Sequence, residues 1–133
     1  MAFTRTASGL CIANLHATND QPPLAEADLL KAAQGASAWA EGAPLIFGGD
    51  LNLRPGENPE IFARLAEEFG LTGATGPRAI DHLLTRGLEV LEPATAWEPE
   101  RRELPLDGRA LRLSDHAPVQ AQFAAAEPLL LRS

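Results

Sequence analysis

The segment Pro44-Leu45-Ile46-Phe47-Gly48-Gly49-Asp50-Leu51-Asn52 runs from an apolar strand into a polar tip. Pro44 to Phe47 is a short apolar run, which reads as a buried strand. Gly48 and Gly49 allow close backbone approach or a positive φ. In extended backbone, residues i and i+2 point to one side. A carboxylate from Asp50 and an amide from Asn52 would then face a common point. In isolation the same four polar and glycine positions also fit a glycine-rich bend closed by an Asx-turn.

The flanking sequence alternates strand and helix. Upstream, Gly9 to Ala17 reads as a strand, with Leu10, Ile12, Asn14 and His16 on one face and Cys11, Ala13, Leu15 and Ala17 on the other. Asn19 to Pro23 is a loop by composition, and a helix from about Leu24 to Glu41 carries a stripe of Leu29, Ala33, Ala36 and Ala40. Downstream, Asn58-Pro59-Glu60 is a helix start: an N-cap, a proline in the first turn and an acid at the positive end of the dipole. Ile61, Phe62, Leu65, Ala66 and Phe69 form the apolar face of that helix, and Gly70 ends it. Ile80 to Thr85 and Leu88 to Ala94 read as strands. Arg101 to Leu113 reads as a hairpin turning at Asp107-Gly108, and Pro118 to Phe123 as the last strand. This order indicates an α/β or α+β layered domain over 1–124, with a tail over 125–133 in which Leu129, Leu130 and Leu131 pack locally or fray.

Composition narrows the function. At 133 residues the chain holds one domain, and 45% hydrophobic content argues against wholesale disorder. No apolar run approaches the roughly 18 to 20 residues that span a bilayer, and Met1 to Arg5 lacks the apolar core of a secretory signal, so the expected location is cytoplasmic. A net charge of −7 disfavours sequence-independent binding to nucleic acid through a basic face. Phosphate can still bind where a divalent ion inverts the local field. Cys11 is the only cysteine, which excludes an internal disulfide and a cysteine-rich zinc site.

Four polar clusters lie at strand ends: Asn14-Leu15-His16, Gly49-Asp50-Leu51-Asn52, Ile80-Asp81-His82 and Ser114-Asp115-His116. Asp81 sits between apolar residues, where a carboxylate is expensive to bury unless paired, and a histidine is its natural partner. His82 alternates to the opposite face and reads as a cap on the sheet surface. No Gly-x-Ser-x-Gly elbow, Walker loop or dinucleotide fingerprint appears. The remaining chemistry is metal-assisted attack by water, and phosphate esters suit it because their hydrolysis needs an activated water and charge neutralisation.

The four clusters, in this order, resemble the endonuclease/exonuclease/phosphatase family of DNase I-like enzymes. The resemblance implies a metal-dependent phosphoesterase using Mg²⁺ or Mn²⁺. By position, it implies that Asp50 and Asn52 place the attacking water and hold the phosphate. His116, oriented by Asp81, serves as base or phosphate stabiliser. His16 contacts the scissile phosphate, with Asn14 and Arg54 on the substrate side, and Asp115 and Asp50 are metal-site carboxylates. Arg54, Arg78, Arg101 and Arg102 are candidate phosphate contacts, although solvated surface charge is the blander reading. Family domains are about twice as long, and their first half carries an early asparagine and a metal-binding glutamate. Met1 to Gly9 contains no Asp, Glu or Asn. The chain thus resembles the C-terminal half: one mixed sheet flanked by helices, with an open apolar face. The expected activity alone is weak or absent. A missing N-terminal half or self-association would cover the open face. The alternative function is a non-catalytic remnant or interaction module that pairs this face with another chain.

Overall fold

The computed structural model describes residues 1–126. Strands β1 (Ala2–Arg5), β2 (Cys11–His16), β3 (Leu45–Asp50) and β4 (Asp81–Arg86) form a four-stranded sheet in that order. Helix α1 (Pro22–Ala40) makes the crossover between the parallel strands β2 and β3, while β1 and β4 lie antiparallel at the edges. Helix α2 (Pro59–Phe69) joins β3 to β4. Strands β5 (Leu88–Ala96) and β8 (Val119–Ala125) make a separate antiparallel ribbon. Between them, β6 (Glu103–Leu106) and β7 (Arg109–Arg112) form a hairpin. Its turn residues Asp107 and Gly108 both take positive φ, the conformation that a two-residue hairpin turn favours.

Both helices cover one face of the sheet. Cys11, Ala13, Leu45, Phe47 and Leu84 point into the same core as Ala25, Leu29, Ala33, Ala36, Ile61 and Leu65. The alanine stripe lets α1 approach the sheet closely, so its side chains bury almost completely without bulk. Alternation sends Ile12, Asn14, Ile46, Gly48 and Leu83 to the other face, which no helix covers among the described residues.

The structure departs from the sequence reading at several ends. Ala2–Arg5, unassigned from sequence, forms β1, held by Phe3 packing on Trp39 and by Arg5 donating to the Trp39 carbonyl at 3.0 Å. Helix α1 starts at Pro22, because proline suits the first helical position. Asn58 holds the N-cap position of α2, but its side chain makes no capping bond. Strand β3 continues through the glycines to Asp50, three residues beyond the apolar run. Strand β8 continues to Ala125, and Leu129, Leu130 and Leu131 lie outside the described residues.

Gly48 and Gly49 make that continuation feasible. A Cβ on Gly48 would overlap the His82 carbonyl oxygen of β4. A Cβ on Gly49, whose φ is +121°, would overlap the Leu15 carbonyl oxygen and the Asn14 side chain. Gly49→Ala is therefore expected to destabilise the fold by about 2 kcal/mol or more, through strain and overpacking together. Urea unfolding of the purified variant measures this.

Candidate active site

Register builds the site. His16 of β2 lies opposite Asp50 of β3, and Asp50 lies opposite Asp81 of β4. Three of the four polar clusters thus deliver a side chain to one row across the end of the sheet. One row inward, Asn14 lies opposite Gly48, and the absence of a side chain at Gly48 leaves space between Asn14 and Leu83. A cleft of about 440 Å³ opens here, walled by Asn14, Gly48, Asp50, Asp81, Leu83 and His116.

The fourth cluster arrives from the loop before β8. Ser114 Oγ accepts the His116 backbone N–H at 3.1 Å, which tightens that loop. His116 Nδ1 then donates to Asp81 Oδ2 at 2.7 Å. An ionised carboxylate only accepts, so this bond fixes the proton on Nδ1 and leaves Nε2 turned to the cleft. Nε2 stands 3.7 Å from Asp50 Oδ2, and His16 Nε2 approaches the same oxygen at 3.5 Å. The hydrogen bond that His116 donates to Asp81, followed by the charge of that carboxylate, raises the His116 pKa above the ordinary imidazole value, with Asp50 and Asp115 adding to the effect. Thr75 Oγ1 donates to the Asp81 backbone carbonyl at 2.8 Å and so steadies the acid from behind. Nothing in the sequence singles out this threonine, because the bond spans a loop whose shape is not locally encoded.

Asn52 and Arg54 lie elsewhere. The sequence places Asp50 and Asn52 on one side of an extended strand; in the structure Asp50 Oδ1 instead accepts the Asn52 backbone N–H at 3.1 Å, closing an Asx-turn. Asn52 takes a φ of +52°, and its Nδ2 donates to the Ala17 carbonyl at 2.8 Å, tying the end of β3 to the end of β2. Asn52 and Arg54 line a separate depression of about 280 Å³ with Asn19, Asp20, Glu57 and Asn58. Asp115 also stands apart from the row, on the outer side of His116, where it shares a shallow depression with Arg78 and Arg102. Arg101 stacks over Trp97, 4.0 Å from the ring centre.

His82 is not a surface cap. It is 1% exposed, beneath the helices, with its ring edge-on to Phe62. Nδ1 accepts from the Thr75 N–H at 3.1 Å, and Nε2 donates to the Ala79 carbonyl at 2.8 Å and the Leu53 carbonyl at 3.3 Å. Burial lowers its pKa, so it remains a neutral staple between the loops on either side of the site.

Asp50, Asp81 and His116 each offer one ligand atom, all within 4.8 Å of one another. Two carboxylates and an imidazole can hold a divalent cation. Oxygen donors suit Mg²⁺, and the imidazole widens the range to Mn²⁺ and other transition ions.

No family model matches the chain, and no curated protein matches it. Solved structures do. A functionally unknown conserved protein from Enterococcus faecalis V583 aligns at 19% identity and a TM-score of 0.64, covering 87% of this chain and 50% of that one. The human Nocturnin catalytic domain with bound sulfate anion aligns at 20% identity and a TM-score of 0.60, covering 88% and 47%. Truncated Caenorhabditis elegans TDP2 aligns at 21% identity and a TM-score of 0.55, covering 87% and 54%. The likeness is one of fold. It places the chain as α+β layered, half of a DNase I-like sandwich, and the chain spans about half the length of these structures. No helix among the described residues is long and apolar enough to cross a membrane.

The His116–Asp81 bond has a direct spectroscopic consequence. In a histidine-resolved NMR titration, the His116 ring is expected to titrate above the ordinary value of about 6.5, and Asp81→Asn to bring it back toward that value. His82 serves as the internal contrast, with no titration through the neutral range while the fold persists.

Proposed function

We propose that the chain carries the C-terminal part of a metal-dependent phosphoesterase of the endonuclease/exonuclease/phosphatase family. The observation that carries this reading is the 2.7 Å bond from His116 Nδ1 to Asp81, with Nε2 of the same ring turned toward Asp50. That arrangement suits a histidine base oriented by an acid, the same logic that fixes an imidazole in hydrolytic triads. The structural likeness to the Nocturnin catalytic domain, solved with a bound sulfate anion, supports a site for a tetrahedral oxyanion.

In this reading His116 Nε2 takes the proton of the attacking water, and Asp81 stabilises the imidazolium that forms. Asp50 aligns the water through the oxygen that faces both imidazoles. His16 and Asn14, on the same sheet face, hold phosphoryl oxygens. The carboxylates of Asp50 and Asp81 would hold Mg²⁺ or Mn²⁺, and the ion would supply charge neutralisation at the phosphoryl oxygens. Asn52 acts by holding the ends of β2 and β3 together, and Asp115 by adding negative charge behind His116. Because the chain spans half of its structural neighbours, turnover without a complementing half is slow.

A second reading also has an observation behind it. Ile12, Ile46 and Leu83 stand on the sheet face that no helix covers among the described residues, so the chain would serve as an interaction module pairing that face with another chain. A dimer that ignores divalent ions in size-exclusion chromatography supports this alternative. A monomer whose melting temperature rises with Mg²⁺ or Mn²⁺ supports the enzyme.

Hydrolysis of bis(p-nitrophenyl) phosphate with Mg²⁺ or Mn²⁺ tests the proposal. Slow turnover is expected, reduced about 100-fold or more by His116→Ala. The base must be neutral, and Asp81 raises its pKa from the ordinary imidazole value, so the rate is expected to fall along an acid limb set by His116. Asp81→Asn is expected to move that limb to lower pH as well as slowing the reaction. An unchanged rate in His116→Ala removes the assignment.

A further inference from the structure

Two imidazoles converge on one carboxylate oxygen at the end of the sheet. His16 Nε2 lies 3.5 Å and His116 Nε2 3.7 Å from Asp50 Oδ2. Both separations are long for a hydrogen bond. In the neutral His116 ring the only proton is on Nδ1, where Asp81 Oδ2 holds it at 2.7 Å. Nε2 of that ring therefore presents a lone pair to a carboxylate oxygen that also only accepts. Two acceptors aimed at each other repel, and a cation between them turns the repulsion into attraction.

Spacing and donor chemistry together say which cation fits. Zinc binds imidazole nitrogen at about 2.0–2.1 Å and carboxylate oxygen at about 2.0–2.2 Å, so neighbouring ligands of its tetrahedral shell stand about 3.4 Å apart. The contacts of 3.5 and 3.7 Å at Asp50 lie close to that spacing. Asp81 adds the usual outer partner. A metal-binding histidine commonly donates its other ring N–H to a carboxylate, which fixes the tautomer and makes the ligating nitrogen more basic. His16 is the adaptable member: its side chain is 76% exposed, so the ring can turn without disturbing the core. Two nitrogens and an oxygen favour a borderline ion such as Zn²⁺ over Mg²⁺, which prefers oxygen donors throughout.

We propose that His16, Asp50 and His116 form a Zn²⁺ site, with Asp81 as its outer carboxylate, and that zinc bound there switches the hydrolytic site off. The zinc site rests on the geometry of these four side chains. Its inhibitory role rests on the phosphoesterase reading. Zinc would occupy the Nε2 lone pair that accepts the proton of the attacking water, and it would compete with Mg²⁺ or Mn²⁺ for Asp50.

Calorimetric titration of the untagged chain with ZnCl₂, in the presence of excess Mg²⁺, tests the site. One Zn²⁺ per chain is expected to bind, and more tightly than Mg²⁺ binds alone. Asp81→Asn is expected to weaken zinc about 10- to 100-fold, as removal of an outer-shell partner does, and His16→Ala and His116→Ala to weaken it at least as much. Co²⁺ in place of Zn²⁺ reports the shell itself: a tetrahedral site with nitrogen donors gives an intense visible band, expected in the wild-type chain and lost in His16→Ala. Because His16 is exposed, that variant is expected to keep the fold, which urea unfolding confirms. Zinc that binds no more tightly than magnesium, or equally well in either histidine variant, overturns the site. Hydrolysis of bis(p-nitrophenyl) phosphate on the same samples is expected to stop at one equivalent of Zn²⁺. Turnover that persists with zinc bound overturns the inhibitory role. A chain that hydrolyses nothing with any of these metals removes the phosphoesterase reading and the inhibitory role with it, while the calorimetry still judges the site.

Discussion

The register between β3 and its two neighbours is the constraint on which the molecule depends. It sets His16, Asp50 and Asp81 side by side, and a slip of one residue in either pairing would turn one member of the row over to the helix-covered face. Two backbone features hold it. Gly48 and Gly49 let the strands approach where any side chain would collide, and the Asx-turn at Asp50–Asn52 ends β3 while its amide grips the end of β2. The alanine-lined helix over the opposite face makes the same register the one that buries Phe47 and Leu45. Packing on one side of the sheet therefore positions chemistry on the other.

Much of this is legible in the chain before any coordinate is known. The stripe of Leu29, Ala33, Ala36 and Ala40 and the proline and glycine that bound α2 encode their helices locally, and Asp107-Gly108 encodes its turn. Strand ends that carry His, Asp and Asn mark the polar edge of the sheet. What is not legible depends on partners distant in sequence. Ala2–Arg5 has no alternation and is exposed on both faces; it becomes a strand only because β2 offers an edge and Trp39 a surface to pack on. Alternation correctly turns His82 away from Asp81, but it does not reveal that two loops and Phe62 wait beneath to bury it. The departure at Asn52 has a local cause: a carboxylate two residues before an amide competes for the backbone N–H, and the turn prevails over continued extension.

The electrostatics follow from the same crowding. Asp81 has one imidazole and Asp50 faces two, so the negative charge that the net composition spreads over the surface is concentrated and partly compensated at the end of the sheet. Among the described residues helices cover the sheet on one face alone, which buries less apolar surface than a full sandwich, and stability in such a domain has little margin. The polar row is thus held by a frame that a complementing layer would strengthen.

Paramagnetic broadening by Mn²⁺ probes the central claim most directly. If a divalent ion binds at Asp50 and Asp81, beside His116, substoichiometric Mn²⁺ will erase the ring signals of His116 before the backbone amides of α1 are touched, and Asp50→Asn will abolish the effect. Broadening that is uniform across the spectrum, or centred away from these three residues, would contradict the account.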